Sequence, residues 1–205
     1  LSDRNNREET LTASILLVRH ASHSDLGQRL TGRGLDGGLA PAGVEEARRL
    51  GRWLADQEIA AVHASPRGRA QQTAAAIRSD VVTADALDEV DFGEWTGLRY
   101  DALKGNTAWD RWNSERSTAQ VPGGESMAEA QERAVAHVQQ VAREFAGRMV
   151  ALVSHCDIIR AVVAWVLGLS LNRILSFDVD PASVTHIVVG EWGARLVRLN
   201  ERAPA

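Results

Sequence analysis

The stretch 14–21, Ser-Ile-Leu-Leu-Val-Arg-His-Ala, constrains this chain most, because a short apolar run ends abruptly in Arg19 and His20. It reads as a buried strand that delivers two polar side chains to its open end. Open α/β sheets bind ligands in the crevice beyond the carboxyl ends of their parallel strands. Arg19 and His20 are therefore the first candidates for chemistry.

The rest of the chain alternates strands and helices. Pro41 suits the first turn of a helix whose apolar face is Val44, Ala47, Leu50 and Leu54. A short strand at 59–63 runs through Ala64-Ser65-Pro66 into a helix over 67–78, and 81–83 reads as a brief third strand. Residues 88–97 form an acidic and aromatic loop, and 98–122 is polar and Trp-bearing without clean periodicity. Gly123-Gly124-Glu125-Ser126 introduces a long helix to about Arg148, with Ala134, Val138, Val141 and Phe145 on one face. Another buried strand, 149–154, ends in His155, and a largely buried helix follows from Asp157 to Leu167. Strands are expected at 174–179, 183–189 and 195–199, the last two forming a hairpin around Glu191-Trp192-Gly193. This order predicts a three-layer α/β/α sandwich, its sheet mainly parallel with an antiparallel strand or hairpin at the C-terminal end.

Length and charge narrow the partners. A chain of 205 residues suffices for one sizeable core, expected over 14–200 after a loose tail at 1–13. The formal charge of −4 and pI near 5.9 lack the basic footprint of a nucleic-acid binder. One cysteine, Cys156, rules out an internal disulfide and suits a reducing compartment, so cytoplasm is the expected setting. The longest apolar run, around 158–169, is interrupted by Arg160 and too short to span a bilayer, and the polar start lacks the core of a signal peptide. Gly32-Arg33-Gly34-Leu35-Asp36-Gly37 fits G-x-G-x-x-G on paper, but it neither follows a strand directly nor opens a helix, so a dinucleotide site is rejected.

Three strand ends or strand-to-helix turns present Arg19-His20, Arg69 and His155 to one edge of a parallel sheet. Two arginines and two histidines suit a phosphoryl group, whose oxygens match guanidinium forks. On these residues the sequence resembles the histidine phosphatase superfamily, also called phosphoglycerate mutase-like. Arg19-His20-Ala21 is similar to the family's Arg-His-Gly, and Leu39-Ala40-Pro41-Ala42-Gly43 to its Leu-Thr-x-x-Gly helix entry. Ser65-Pro66-Arg67-Gly68-Arg69-Ala70-Gln71-Gln72-Thr73-Ala74 resembles its Ser-Pro-x-x-Arg-Ala-x-Gln-Thr-Ala block. Leu87-Asp88-Glu89 with Phe92-Gly93-Glu94-Trp95-Thr96-Gly97 is similar to the acid-bearing loop, and Val153-Ser154-His155 to the second-histidine motif. The likeness covers nearly the whole chain after the tail.

The resemblance implies a metal-independent phosphomonoesterase, without cofactor, that hydrolyses a small phosphorylated metabolite through a phosphohistidine on His20. Arg19, Arg69 and His155 would hold the phosphoryl oxygens, and Glu89 would be general acid and then base, with Glu94 in reserve. That role needs a raised pKa, which crowding by Asp88, Asp91 and Glu94 could supply. His23, Arg33 and Cys156 are candidate substrate contacts, while Arg67 reads as a solvated helix charge or a surface ion pair and Asp157 as a helix cap or a substrate contact. Ala21-Ser22-His23 replaces the family's usual Gly-Glu-Thr continuation. Trp95, Trp109 and Trp112 read as packing residues of a lid at about 88–122. His63, His137 and His186 read as structural or surface residues, outside any metal-spaced cluster. A cysteine-based phosphatase fails, since the position that would need arginine is Val162. The alternatives are a phosphoglycerate-type mutase and a noncatalytic phospho-ligand binding module. Against the mutase stands Glu89-Val90-Asp91-Phe92-Gly93 where cofactor-dependent mutases carry Glu-Arg-His-Tyr-Gly.

Overall fold

The first strand, β1 (Ala13–Arg19), is interior to a six-stranded sheet and buried on both faces. The structure, a computed structural model, describes residues 12–35 and 37–204, so most of the expected tail lies outside the described residues. β1 begins one residue earlier than its sequence pattern suggests. Its neighbours are β2 (Ile59–Ala64), β3 (Val81–Thr83), β4 (Met149–Ser154), β5 (Ser183–Gly190) and β6 (Gly193–Arg202), in the order β3-β2-β4-β1-β5-β6. The first four strands of that order are parallel; β5 runs antiparallel to β1, and β6 to β5.

The alternation of β1 explains the three layers. Ile15 and Leu17 face a core shared with α5 (Met127–Glu144) and α6 (Cys156–Leu167). Leu16 and Val18 face the other side, against α1 (Pro41–Leu54) and α2 (Gly68–Ile77). Burying each such side chain stabilises the fold by roughly 1.5–3 kcal/mol, so β1 supports both layers at once. Two short helices, α3 (Tyr100–Leu103) and α4 (Thr107–Ser114), lie within the Trp-bearing stretch. There Trp95 and Trp112 are buried in the larger core, Trp112 completely.

Local chemistry sets the helix ends. Pro41 opens α1, and Ser126 and Glu129 close a reciprocal capping box at the start of α5. α5 stops at Glu144 rather than near Arg148, because Phe145 leaves helical geometry and Gly147 takes a φ of +78°. The expected strand at 174–179 does not form. Leu171–Ser176 is a tight 3₁₀ turn, in which Leu171 and Ile174 point inward at a spacing of three and Leu175 faces solvent. The C-terminal hairpin forms, with β6 longer than expected.

Register decides what meets at the sheet edge. Arg19 pairs with Ser154 and Ala64 with Val153, so β1, β4 and β2 end level. The backbone N–H of His20 donates to Ser154 O at 2.9 Å, and that of Ser65 to Val153 O at 2.9 Å. His20, His155 and Ser65 thus leave the sheet side by side.

Candidate active site

Beyond these strand ends lies a cavity of about 260 Å³. Arg19, His20, Arg69 and Glu89 form one side of it, while Tyr100, Trp109 and Arg116 from the 88–122 stretch help to form the other. The structure therefore brings Arg19, His20, Arg69 and Glu89 to one cavity, with the fully buried His155 next to them but outside its lining.

His20 is 3% exposed, and its Nδ1 lies 2.8 Å from Ala21 O. A carbonyl only accepts, so Nδ1 carries the proton and Nε2 keeps its lone pair. Burial, then Arg69 and Arg19, hold the ring well below its usual pKa, which keeps it neutral. His155 is fully buried at the start of α6, with its ring centroid 5.1 Å from that of His20. Its pKa too is pushed well down, by burial and by Arg69.

The arginines are anchored on main-chain carbonyls. Arg19 Nη1 donates to Val179 O at 2.6 Å, and Arg69 donates to Gly32 O at 2.9 Å and Leu35 O at 3.3 Å. Arg69 Nη2 also donates to His155 Nδ1 at 3.2 Å. The buried Arg19 Nε has no hydrogen-bond partner among the described residues.

Glu89 Oε1 accepts from the Val90 N–H at 3.0 Å, and Oε2 lies 3.7 Å from His155 Nδ1. Burial first, and then the Asp157 carboxylate, raise its pKa to about 7 against the opposing pull of Arg69 and Arg19. The raised value was anticipated, but its cause is burial and Asp157 rather than crowding by Asp88, Asp91 and Glu94. Two arginines hold the backbone here: Arg33 Nε and Arg133 Nη2 both donate to Glu89 O, at 2.7 and 3.1 Å. Both also reach Glu125 Oε1, at 2.8 and 2.6 Å.

Arg33 is therefore a clamp on the acid loop and does not line the cavity, contrary to its reading as a substrate contact. Of the two readings of Arg67, a solvated helix charge or a surface ion pair, the ion pair forms, more buried than expected: Nε and Nη2 grip both oxygens of Asp88 at 2.9 and 2.8 Å. His23 and Cys156 do line the cavity. The Cys156 Sγ donates to Val179 O at 3.6 Å, and burial pushes the thiol up to about 11, so it stays protonated. Asp157 makes no side-chain cap. It lines the cavity and accepts from Arg116 Nη1 at 2.8 Å, with Arg160 Nη1 3.6 Å away. Burial alone would raise Asp157, but Arg116 and Arg160 outweigh it and keep the carboxyl below its usual value.

Sequence reasoning missed Arg116, Arg133 and Glu125. Arg160 was noticed only as a break in an apolar run, although its spacing of three from Asp157 on a helix was a usable signal. Arg116 offers none: it is buried by stacking on Trp112, 5.3 Å from the ring centroid, and by a partner far along the chain. Among the described residues no three His, Cys, Asp or Glu side chains are grouped to hold a metal ion, and no helix is long and apolar enough to cross a membrane.

Known proteins resemble this chain in sequence and in fold. The chain is 30% identical over 193 residues to phosphoserine phosphatase 1 of Hydrogenobacter thermophilus, covering 91% of each chain. It is also 30% identical to a 2,3-bisphosphoglycerate-dependent phosphoglycerate mutase of Methylorubrum populi, over 80% of this chain and 84% of that one. The solved structure of Bacillus stearothermophilus YhfR superposes with a TM-score of 0.87 at 25% identity, covering 92% of this chain and 97% of that one. Residues 15–202, which hold His20, His155, Arg19, Arg69 and Glu89, match one family throughout, and the chain belongs to the histidine phosphatase superfamily, branch 1.

Proposed function

We propose that this histidine phosphatase is a metal-independent phosphomonoesterase acting on a small phosphorylated metabolite through a phosphohistidine on His20. The carrying observation is the bond from Nδ1 to Ala21 O, which leaves a neutral Nε2 with its lone pair beside Arg69 and Arg19. Nε2 attacks phosphorus as the P–O bond to the leaving group breaks. Arg19, Arg69 and His155 stabilise the charge spread over the three equatorial oxygens. Glu89, half protonated near pH 7, donates its proton to the departing alkoxide and then removes one from the water that attacks the phosphohistidine. Water takes the phosphoryl group as inorganic phosphate, and His20 is returned neutral.

The 88–122 stretch would act as the lid: Trp95 and Trp112 anchor it in the core, while Tyr100 and Trp109 face the cavity. The single cysteine, kept as a thiol, fits a cytoplasmic setting. A mutase reading, supported by the Methylorubrum relative, shares the first half-reaction and differs only in passing the phosphoryl group to a second hydroxyl.

The test is release of inorganic phosphate from p-nitrophenyl phosphate without added metal, compared with His20→Ala. Loss of turnover in the variant and indifference to a chelator are expected. Activity surviving His20→Ala would sink the nucleophile, and abolition by chelator would sink metal independence. Transfer to an added hydroxy-acid acceptor in place of release would favour the mutase.

A further inference from the structure

His155 sits at the head of a one-way chain of hydrogen bonds. A guanidinium only donates, so the contact from Arg69 Nη2 at 3.2 Å requires a lone pair on His155 Nδ1. The ring proton is then on Nε2, which donates to Ser65 Oγ at 2.7 Å. Ser65 passes its own hydrogen to Asp88 Oδ1 at 3.2 Å. Asp88 accepts throughout, from Arg67 Nε and Nη2 and from the Glu89 N–H at 2.8 Å. Ser65 is fully buried and Asp88 6% exposed, so water does not compete strongly for these bonds.

This direction conflicts with binding a phosphoryl group. Nδ1 faces Arg69 and Glu89, which line the cavity while the fully buried His155 lies behind them, and a phosphoryl oxygen that reached Nδ1 between these two would meet lone pair against lone pair. The charged and titratable groups around His155 are Arg19, His20, Arg69, Glu89, Asp88 and Arg133. Burial first, and then the cations, keep the empty ring neutral, and a bound dianion offsets the cations.

Resting on the reading of this cavity as a phosphoryl site, we propose that anion binding draws one proton from solvent onto His155 Nδ1, and that Ser65 and Asp88 are positioning residues for this step. Ser65 fixes which nitrogen stays open and carries the Asp88 charge to the imidazolium that forms. The ring then donates from Nδ1 to the anion and from Nε2 to Ser65, and the anion takes the place of Arg69 Nη2 as the partner of Nδ1. His155 is thereby a group that becomes a cation on demand, whereas Arg19 and Arg69 are cations at all times.

Sulfate is the probe, because it stays a dianion across the neutral range and cannot supply or take the proton itself. In the full chain with 15N-labelled histidine at pH 7.5, His155 is expected to be neutral with its proton on Nε2, and to become doubly protonated when sulfate is added. A ring that stays neutral in the complex, or that carries its proton on Nδ1 beforehand, overturns the proposal. Ser65→Ala should lower the pH above which sulfate binding fades by about one unit, a loss of about tenfold in affinity above that pH. Ser65→Thr, which keeps the hydroxyl, should restore it, and unchanged binding in Ser65→Ala overturns the relay. If Ser65→Ala does not fold, the spectra of the unaltered chain still decide. No turnover is involved, so sulfate bound to a neutral His155 defeats this proposal and leaves the phosphohistidine reading standing, whereas failure of sulfate to bind overturns both.

Discussion

Burial raises the Glu89 carboxyl from the usual 4.5 to about 7, aided by Asp157 and opposed by Arg69 and Arg19. Between those two pH values the folded chain holds a proton that the unfolded chain has released. The folded state therefore loses stability as pH rises through this window, by roughly 3 kcal/mol once above it. Glu89→Gln removes that cost, so its melting temperature at pH 8 should exceed that of the unaltered protein; an equal or lower one would show that Glu89 is not held protonated. The same substitution removes the proposed proton donor. It should cost about 10²- to 10⁴-fold in kcat/KM on alkyl phosphates, and far less on p-nitrophenyl phosphate, whose phenolate leaves without protonation. Equal losses on the two substrates would rule out a general acid.

At the scale of elements, the entry of α1 fixes the segment just after His20. A Cβ on Gly43 would lie 1.9 Å from Ser22 O and 2.8 Å from its carbonyl carbon, so helix and loop touch backbone to backbone. The Ser22 N–H and hydroxyl are held in turn by Glu46, at 2.8 and 3.0 Å. Gly43→Ala should destabilise the fold by about 1–3 kcal/mol in urea unfolding, although alanine in an exposed helix normally gains nearly 1 kcal/mol over glycine. A net gain would mean that the two backbones are not in contact. Gly43 was legible in the sequence only as part of a helix-entry block. The strands and the main helices were readable because each encodes itself locally, through short apolar runs, Pro41 or the Ser126–Glu129 box. The 174–179 segment misled because Ile174, Leu175 and Phe177 look like a strand until packing selects which of them turn inward. Arg33 and Arg67 misled for another reason: their partners Glu125 and Asp88 lie 92 and 21 residues away, and nothing local distinguishes such an arginine from a solvated one.

For the whole molecule, the histidines set the acid limit. His20, His63, His137, His155 and His186 all have lowered pKa values, chiefly through burial. Unfolding lets each take up a proton near its ordinary value of about 6.5. The stability tied to their neutral forms is present above that pH and lost as pH falls below it. Glu89 acts in the opposite sense over part of the same range, but it is one group against five. The melting temperature should therefore fall between pH 7 and pH 5; a flat profile would mean that these rings are not held neutral. The carbonyl anchors of Arg19 and Arg69 act on a longer timescale, that of sequence drift. Val179, Gly32 and Leu35 contribute a main-chain oxygen to these bonds, an oxygen that any amino acid brings with it, although the φ of +52° keeps Gly32 a glycine. Mutation in those loops can replace every side chain without removing the supports of the two cations, provided the chain path is kept. The cavity wall can thus be rewritten while the two guanidinium charges stay put, which is one way for a phosphatase and a mutase to descend from a single ancestor.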